Sequence, residues 1–342
     1  MNVGMYYNNN DVRLEQMPKP EISSDELLVK VFASGICGSD IMQWYRIKKA
    51  PLVLGHEITG KIAEVGANIK KYKKGDRVFV SHHVPCNKCH YCANDNHTCC
   101  ETLRATNYFP GGFSEYIRVP KINIDCGVFI LPDSVSYDEG AMIEPLGCVL
   151  RAQKKINLKS GQSILIIGSG ISGVLNLITA KAIGCAPVIM TDVNDYRIKA
   201  AKKFGADGVL NAKQDIIREV KKLNNGRLAD IVMLCAGADS AFNQALESVD
   251  IGGSILLFAP TAPNKEFSID INRLWSNGVK IIPSYGAAPD NILAAIELIN
   301  SGKINVSKLI THTLPLSGIQ KGFKLASEAK ECIKVIIKPN KE

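Results

Sequence analysis

The sequence predicts an α/β protein of two domains, one mostly β and the other built on a doubly wound parallel sheet. Three observations lead there. The chain has 342 residues, and at roughly 100–200 residues per domain this calls for two or three domains with room for buried cores. Its first 145 or so residues carry short β-like runs separated by Gly, Pro and Asn, with little helical periodicity. From residue 163 onward, β-rich runs alternate with helical stretches, the pattern of right-handed crossovers between parallel strands.

Composition narrows the function classes. Apolar residues make up 46% and charged residues 22%, values that exclude a disordered or fibrous chain. The longest apolar runs, such as 163–167 and 254–259, fall far short of the ~20 residues that cross a bilayer, so no membrane-spanning segment is expected. The first residues lack the basic-then-apolar layout of a signal peptide, which points to the reducing cytoplasm. Eleven cysteines, an odd number, suit metal binding or chemistry there better than a disulfide framework. The net charge of +8 is spread along the chain without a basic block, so no nucleic-acid partner is expected.

In chain order, the β-like runs are 26–33, 58–65, 76–81 and 113–119. Between and after them, Cys37-Gly38-Ser39-Asp40, Gly55-His56-Glu57 and Ile143-Glu144-Pro145-Leu146 put Cys, His and Glu in separate turns. That set suits a zinc with one position open for water or substrate. Spacing alone leaves an ordinary buried cysteine as an equal alternative. Cys86, Cys89, Cys92 and Cys100 read C-x2-C-x2-C-x7-C, which lets four thiolates converge on one tetrahedral Zn2+. Cys99, His90 and His97 lie close enough to leave the fourth ligand open. The polar segment 87–101 has little core of its own, so a closed structural zinc is expected there, with free or iron-binding thiols as the alternative.

In the second half, strands are expected at 163–167, 187–191, 208–210, 231–235 and 254–259, with helices at 174–183, 196–204, 215–223 and 240–248. Helical segments at 291–299 and 319–326 precede a final β-like run at 332–337. The first strand leads into Gly168-Ser169-Gly170-Ile171-Ser172-Gly173, a G-x-G-x-x-G turn that opens a helix. This context marks a dinucleotide site, with Gly168 for the tight turn, Gly170 for close approach to a pyrophosphate and Gly173 for helix packing. The helix N-terminus supplies free N–H groups to the phosphates. Ile171, Ser172 and, further on, Arg197 complete the candidate cofactor residues. Asp192 follows Gly168 by 24 residues, near the roughly 20 expected of an acid that binds the ribose hydroxyls. Its carboxylate would repel a 2′-phosphate, and Val193 and Asn194 add no cation, so NAD is expected rather than NADP. A glycine turn without a ligand is the alternative.

Taken together, these motifs resemble the zinc-dependent medium-chain alcohol dehydrogenase family nearly end to end. Gly55-His56-Glu57-x2-Gly60-x5-Gly66 is similar to that family's zinc signature. It is followed in order by Gly75-Asp76-Arg77-Val78, the four-cysteine lobe, Gly111-Gly112-Phe113-Ser114-Glu115-Tyr116 and the glycine fingerprint. The resemblance implies a GroES-like catalytic domain over 1–147 and 287–342, and a Rossmann NAD-binding domain over 148–286. It implies one catalytic and one structural zinc, with Cys37 and His56 as ligands of the first and Asp40 orienting His56 through its other ring nitrogen. Glu57 would be an exchangeable ligand or an acid just behind the metal. Glu144 stands where simple alcohol dehydrogenases have a second cysteine, as in the polyol (sorbitol-like) and threonine dehydrogenases, and would bind zinc directly or through its water. Ser39 would take the alcohol proton by hydrogen bond.

The implied reaction oxidises a secondary alcohol, such as a sugar alcohol or cyclitol, to its ketone with hydride transfer to NAD. L-threonine 3-dehydrogenase is the alternative within the family, and a zinc-free or non-catalytic relative the alternative outside it. A homotetramer or homodimer is implied, with 254–259 and 279–283 extending the coenzyme sheet across a two-fold axis.

The chain also departs from the family. The interval from Cys37 to His56 is short, and Met42 stands where relatives usually carry a histidine that ends the proton relay. His83 matches a pocket histidine of threonine dehydrogenases and is expected either as a catalytic aid or on the surface. In the trimmed loop, Trp44, Tyr45, Arg46, Lys48 and Lys49 read either as a solvated basic face or, at Arg46, as a clamp for an anionic substrate group.

Overall fold

Apolar runs become strands, and in the computed structural model, which describes residues 1–342, six strands lie side by side, those at the centre buried and the outermost partly exposed. The sheet order is Gly208–Asn211, Val188–Asp192, Ile164–Ile167, Ala229–Leu234, Val249–Leu257, Lys280–Pro283, with every neighbouring pair parallel. Ile164–Ile167 is buried along its whole length, as expected of a central strand covered by helices on both faces. The chain winds outward from it in both directions. The carboxyl ends of Ile164–Ile167 and Ala229–Leu234 therefore border the crevice in which ligands of such sheets bind.

The helices between these strands start at side-chain caps. Asn194 accepts from Arg197 N, Asp215 from Arg218 N and Asp270 from Arg273 N, each satisfying an N–H that the first helical turn leaves free. In Ile216–Leu223 the apolar pair Ile216 and Val220 is buried, and both join Leu165, Ile189, Val232, Phe242 and Ile255 in one core cluster. The strand expected at 254–259 begins earlier, at Val249. Gly252 and Gly253 lie in an irregularity between the pairs Ala229↔Val249 and Ile231↔Ser254, and the chain stays in the sheet.

The chain forms two compact units, Cys148–Gly286 and the remainder, Met1–Gly147 with Ala287–Glu342. The latter holds a seven-stranded sheet in the order Ile310–Pro315, Lys334–Lys338, Leu27–Gly35, Glu57–Val65, Arg77–Ser81, Val128–Ile130, with Tyr116–Val119 also pairing Leu27–Gly35. A smaller antiparallel sheet joins Asp11–Gln16, Asn2–Asn8 and Leu52–Val53. Its hairpin turns at Asn9-Asn10, residue types that tolerate the conformations of a two-residue turn, although it lies outside the runs singled out in the sequence. Register then positions the site. Gly35 pairs with Glu57, Glu57 with Ser81 and Gly35 with Ile336, so the ends of three strands meet at one level beside the middle of Lys334–Lys338. No helix is long and apolar enough to cross a membrane.

Candidate active site

Leu27–Gly35 runs out at Gly35, and the chain turns at once, with Asp40 N donating to Cys37 O at 3.0 Å. This turn delivers Cys37 beside His56 and Glu57 at the start of the neighbouring strand. The Cys37 thiol, a His56 ring nitrogen and a Glu57 carboxylate oxygen all lie within 4.8 Å of one another. Asp40 is fully buried behind them. Its Oδ2 accepts from Cys37 N at 3.0 Å, and its Oδ1 faces His56 Nδ1 at 3.3 Å. Such a contact turns the other imidazole nitrogen toward a ligand.

The electrostatics of this pocket favour a cation. Burial pushes the His56 pKa down, but the Asp40 carboxylate and the Cys37 thiol outweigh it and hold His56 well above its ordinary value. Asp40 stays below the usual carboxylate range: burial opposes this, and His56 and Arg46 overcome it. Thiol, imidazole and carboxylate together are a suitable donor set for zinc. Glu57 Oε1 is buried with no hydrogen-bond partner, which leaves one oxygen of that carboxylate for a metal. The residues present therefore fit the ion.

Lys334 stands on the far side of Glu57 and was not singled out by sequence reasoning. Its Nζ donates to Glu57 Oε2 and, at 3.1 Å, to Ile36 O. Both side chains of the pair are 1% exposed. The approach requires Gly35, because a Cβ there would meet Glu57 Oε2 at 2.0 Å and Lys334 Cε at 2.9 Å. The one signal in the sequence was a lysine inside the apolar run 332–337.

Glu144 lies in the first turn of the helix Ile143–Lys155 and outside the three-residue group. It is still close enough for its charge to raise the pKa of Lys334 and Tyr108, though in each case it acts behind larger influences. His83 is half-buried rather than on the open surface. Its ring lies 4.0 Å from that of His82, which in turn lies 4.7 Å from that of His56. Burial and the neighbouring His56 push His83 down to about 4 and His82 well below its ordinary value, so both rings are neutral at pH 7. His82 was also missed, its only signal being the His-His pair ahead of Cys86. Arg46 does not reach outward as a clamp for substrate would. Its Nε and Nη2 donate to Ser39 O and Ser39 Oγ, both at 3.0 Å, because the loop is short enough to fold the guanidinium back onto the Cys37 turn.

In the polar lobe, the thiols of Cys86, Cys89, Cys92 and Cys100 lie within 4.8 Å of one another, while Cys99 is exposed. Cys89 and Cys92 sulfurs are 3.5 Å apart, and those of Cys86 and Cys100 3.6 Å. A tetrahedron with Zn–S bonds of about 2.3 Å has edges of about 3.8 Å, so the cluster fits one zinc. Without a cation the four compete for protons. Burial pushes Cys92 up to about 12. Cys100 falls to about 6, because the N–H groups of Cys86 and Leu103 outweigh burial.

In the parallel-sheet unit, Gly168 takes a φ of +99° and the helix Ile171–Ile183 starts at Gly170. A Cβ on Gly173 would meet Gly168 O at 1.9 Å, so this position holds the helix tight against the turn. Ser172 lies in the first helical turn. Asp192 ends its strand with Oδ2 accepting from Ser169 N at 2.7 Å and Oδ1 from Asn194 N at 2.9 Å. Arg197 brings its guanidinium to 3.5 Å from where a Gly170 Cβ would stand. Its Nε is buried without a hydrogen-bond partner, so an anion-binding helix end and a cation share one place.

The chain is similar to known proteins along both of its units. The alcohol dehydrogenase GroES-like domain profile matches residues 23–127, and the zinc-binding dehydrogenase profile matches 173–301. The chain is 34% identical to sorbitol dehydrogenase of Bacillus subtilis over its whole length and 98% of that protein. It is 31% identical to L-threonine 3-dehydrogenase of Chromobacterium violaceum, covering 91% of this chain and 92% of that one. Among solved structures, 2R,3R-butanediol dehydrogenase from Bacillus subtilis superposes with a TM-score of 0.86 at 26% identity, covering 99% of each chain. Similarity that runs the full length of the chain, through both profiles in order, makes this protein a member of the zinc-dependent medium-chain alcohol dehydrogenase family.

Proposed function

We propose that this enzyme interconverts a secondary alcohol of a polyol, such as a sugar alcohol or cyclitol, and its ketone, using NAD. The observation that carries the proposal is the Cys37, His56 and Glu57 group, backed by Asp40 and Lys334 and adjoining Ser39. Similarity to sorbitol dehydrogenase supports the substrate class. Cys37 and His56 would hold the catalytic zinc, with Glu57 or Glu144 supplying a carboxylate, and Cys86, Cys89, Cys92 and Cys100 would hold the structural one. When bound, the zinc supplies Lewis acidity and the nicotinamide supplies the hydride acceptor.

The chain's own residues do the rest. Asp40 holds His56 in one tautomer. Ser39 accepts the hydrogen bond of the substrate hydroxyl and carries its proton away. Asp192 accepts from the ribose hydroxyls and repels a 2′-phosphate, while Gly170, Ile171 and Ser172 bring backbone N–H groups to the pyrophosphate and Arg197 adds positive charge there. Asp192→Ala should weaken NAD use and relax discrimination against NADP; equal use of both by the unaltered enzyme would overturn the NAD reading. We further propose a cytoplasmic homo-oligomer, since Lys280–Pro283 is the last strand of its sheet and offers an edge to a second copy.

One observation favours L-threonine as a second reading, namely the half-buried, neutral His83 packed at a tilt against His82, joined by the similarity to threonine dehydrogenase. An NAD reduction assay across polyols, cyclitols, sugar phosphates and threonine, on protein with its zinc counted, decides between them. Turnover of threonine alone would overturn the polyol assignment.

A further inference from the structure

We infer that Arg46 is a positioning residue of the active site, which fixes the Ser39 hydroxyl and shares Asp40 with His56 so that the substrate proton has one defined acceptor. This rests on the functional reading above for the role of Ser39, and on the geometry alone for that of Arg46.

Arg46 ends the single-turn helix Gln43–Arg46. Its neighbours Trp44, Tyr45, Ile47, Lys48 and Lys49 are all exposed, yet its own side chain is only 15% exposed. It turns inward. The guanidinium lies over the Tyr45 ring at 4.5 Å from the centroid. Nε donates to Ser39 O and Nη2 to Ser39 Oγ, each at 3.0 Å, so backbone and side chain of one residue are held by a single planar group. Nη2 also faces Asp40 Oδ1 at 3.4 Å, the oxygen that faces His56 Nδ1 at 3.3 Å.

The chemistry follows from the donor inventory. A serine hydroxyl has one hydrogen and two lone pairs, and a guanidinium only donates. With one lone pair of Ser39 Oγ taken by Arg46, the other accepts the substrate's proton while the serine hydrogen points onward. The oxygen is thereby given a direction. A lysine could supply the charge but not two donors in a fixed fork.

The test uses the full-length, zinc-loaded enzyme and whichever alcohol the substrate panel identifies. Arg46→Gln should lower kcat by about ten- to a hundredfold, the range of a lost charge-assisted hydrogen bond. KM should move by less than about threefold, and neutral and anionic substrates should suffer equally. Arg46→Lys should recover only part of the rate, and added guanidinium ion should restore part of the rate of Arg46→Ala. In a Ser39→Ala background Arg46→Gln should have little further effect on kcat, because the atom it positions is gone. Fully additive losses would refute the inference, as would a rise in KM confined to anionic substrates. A crystal structure of Arg46→Gln, with zinc content measured beside it, gives a readout independent of turnover. Ser39 should leave its wild-type rotamer or populate more than one. Ser39 Oγ in its original rotamer would refute the inference even if no alcohol were oxidised, an outcome that would separately refute the functional reading.

Discussion

Replacing Lys334 by Met tests whether the buried pair with Glu57 holds the catalytic unit together. Methionine keeps the unbranched stem and most of the volume but removes the charge and the donor. The two side chains are 1% exposed, so water cannot substitute. Burial pulls the Lys334 pKa down, but Glu57, with help from Cys37 and Glu144, outweighs it and holds the ammonium above its ordinary value. The lysine is therefore charged at neutral pH. Its loss removes the bond to Ile36 O and leaves a buried carboxylate whose Oε1 already has no partner. Removing one member of a buried ion pair costs about 3–5 kcal/mol, or about two to three and a half decades in the unfolding equilibrium. The chain has two tryptophans, Trp44 in the unit with the pair and Trp275 in the other. Trp275 is 81% exposed, so a Trp275→Phe background is benign and leaves Trp44 fluorescence to report the relevant unit in a urea titration. Lys334→Met with Glu57→Gln should recover at least half of the loss, because no charge is then stranded. A loss below about 1 kcal/mol, smaller than the cost of a single stranded charge, or a double variant no better than the single one, would refute the argument.

Two further outcomes are expected. Cys89→Ser should lower the bound zinc by one equivalent per chain and depress the melting temperature, since a thiolate lost from the lobe removes metal-coupled folding energy. Cys99→Ser, whose residue is exposed and outside the cluster, should change neither quantity; elemental analysis and a thermal melt measure both. Asp230→Asn tests a pH-dependent tie, because Asp230 Oδ2 accepts from Ser163 N at 2.9 Å and Ser163 Oγ at 2.8 Å while Oδ1 pairs with Arg227. Burial opposes ionisation there, but these bonds win and the carboxyl lies below its ordinary value. A depressed folded-state pKa stabilises above the unfolded value of about 3.9 and ceases to as pH falls through the folded one. The variant should therefore lose about 1–2 kcal/mol at pH 7. The gap should close as pH falls below the unfolded value and on through the folded one, in urea titrations repeated across pH, and a gap that stays unchanged down to the acid limit of folding would be the wrong result.

The sequence by itself determined the features that depend on neighbours along the chain. The alternation of apolar strands and helices was sufficient for the parallel sheet, since each crossover is a local unit. The turn from Gly168 to Gly173 was legible because its chemistry lies within six residues. Cys86, Cys89 and Cys92 were legible as a set for the same reason. Distance along the chain hid the rest. The x7 spacing pointed to Cys100 as the fourth thiol but left Cys99 open beside it; the short helical turn at 97–99 leaves Cys99 exposed and the next sulfur, that of Cys100, inside the cluster. Lys334 meets Glu57 across 277 residues, through a sheet register in which Ile336 pairs with Gly35 and Gly35 with Glu57. Arg46 read either as part of a solvated basic face or as a clamp for an anionic substrate group, and only the path of the chain back over the Cys37 turn set its guanidinium on Ser39. Spacing fixes geometry within a turn or two, where few backbone angles intervene; beyond that, a side chain's partner is chosen by strand pairing and burial, which exist only in the folded molecule.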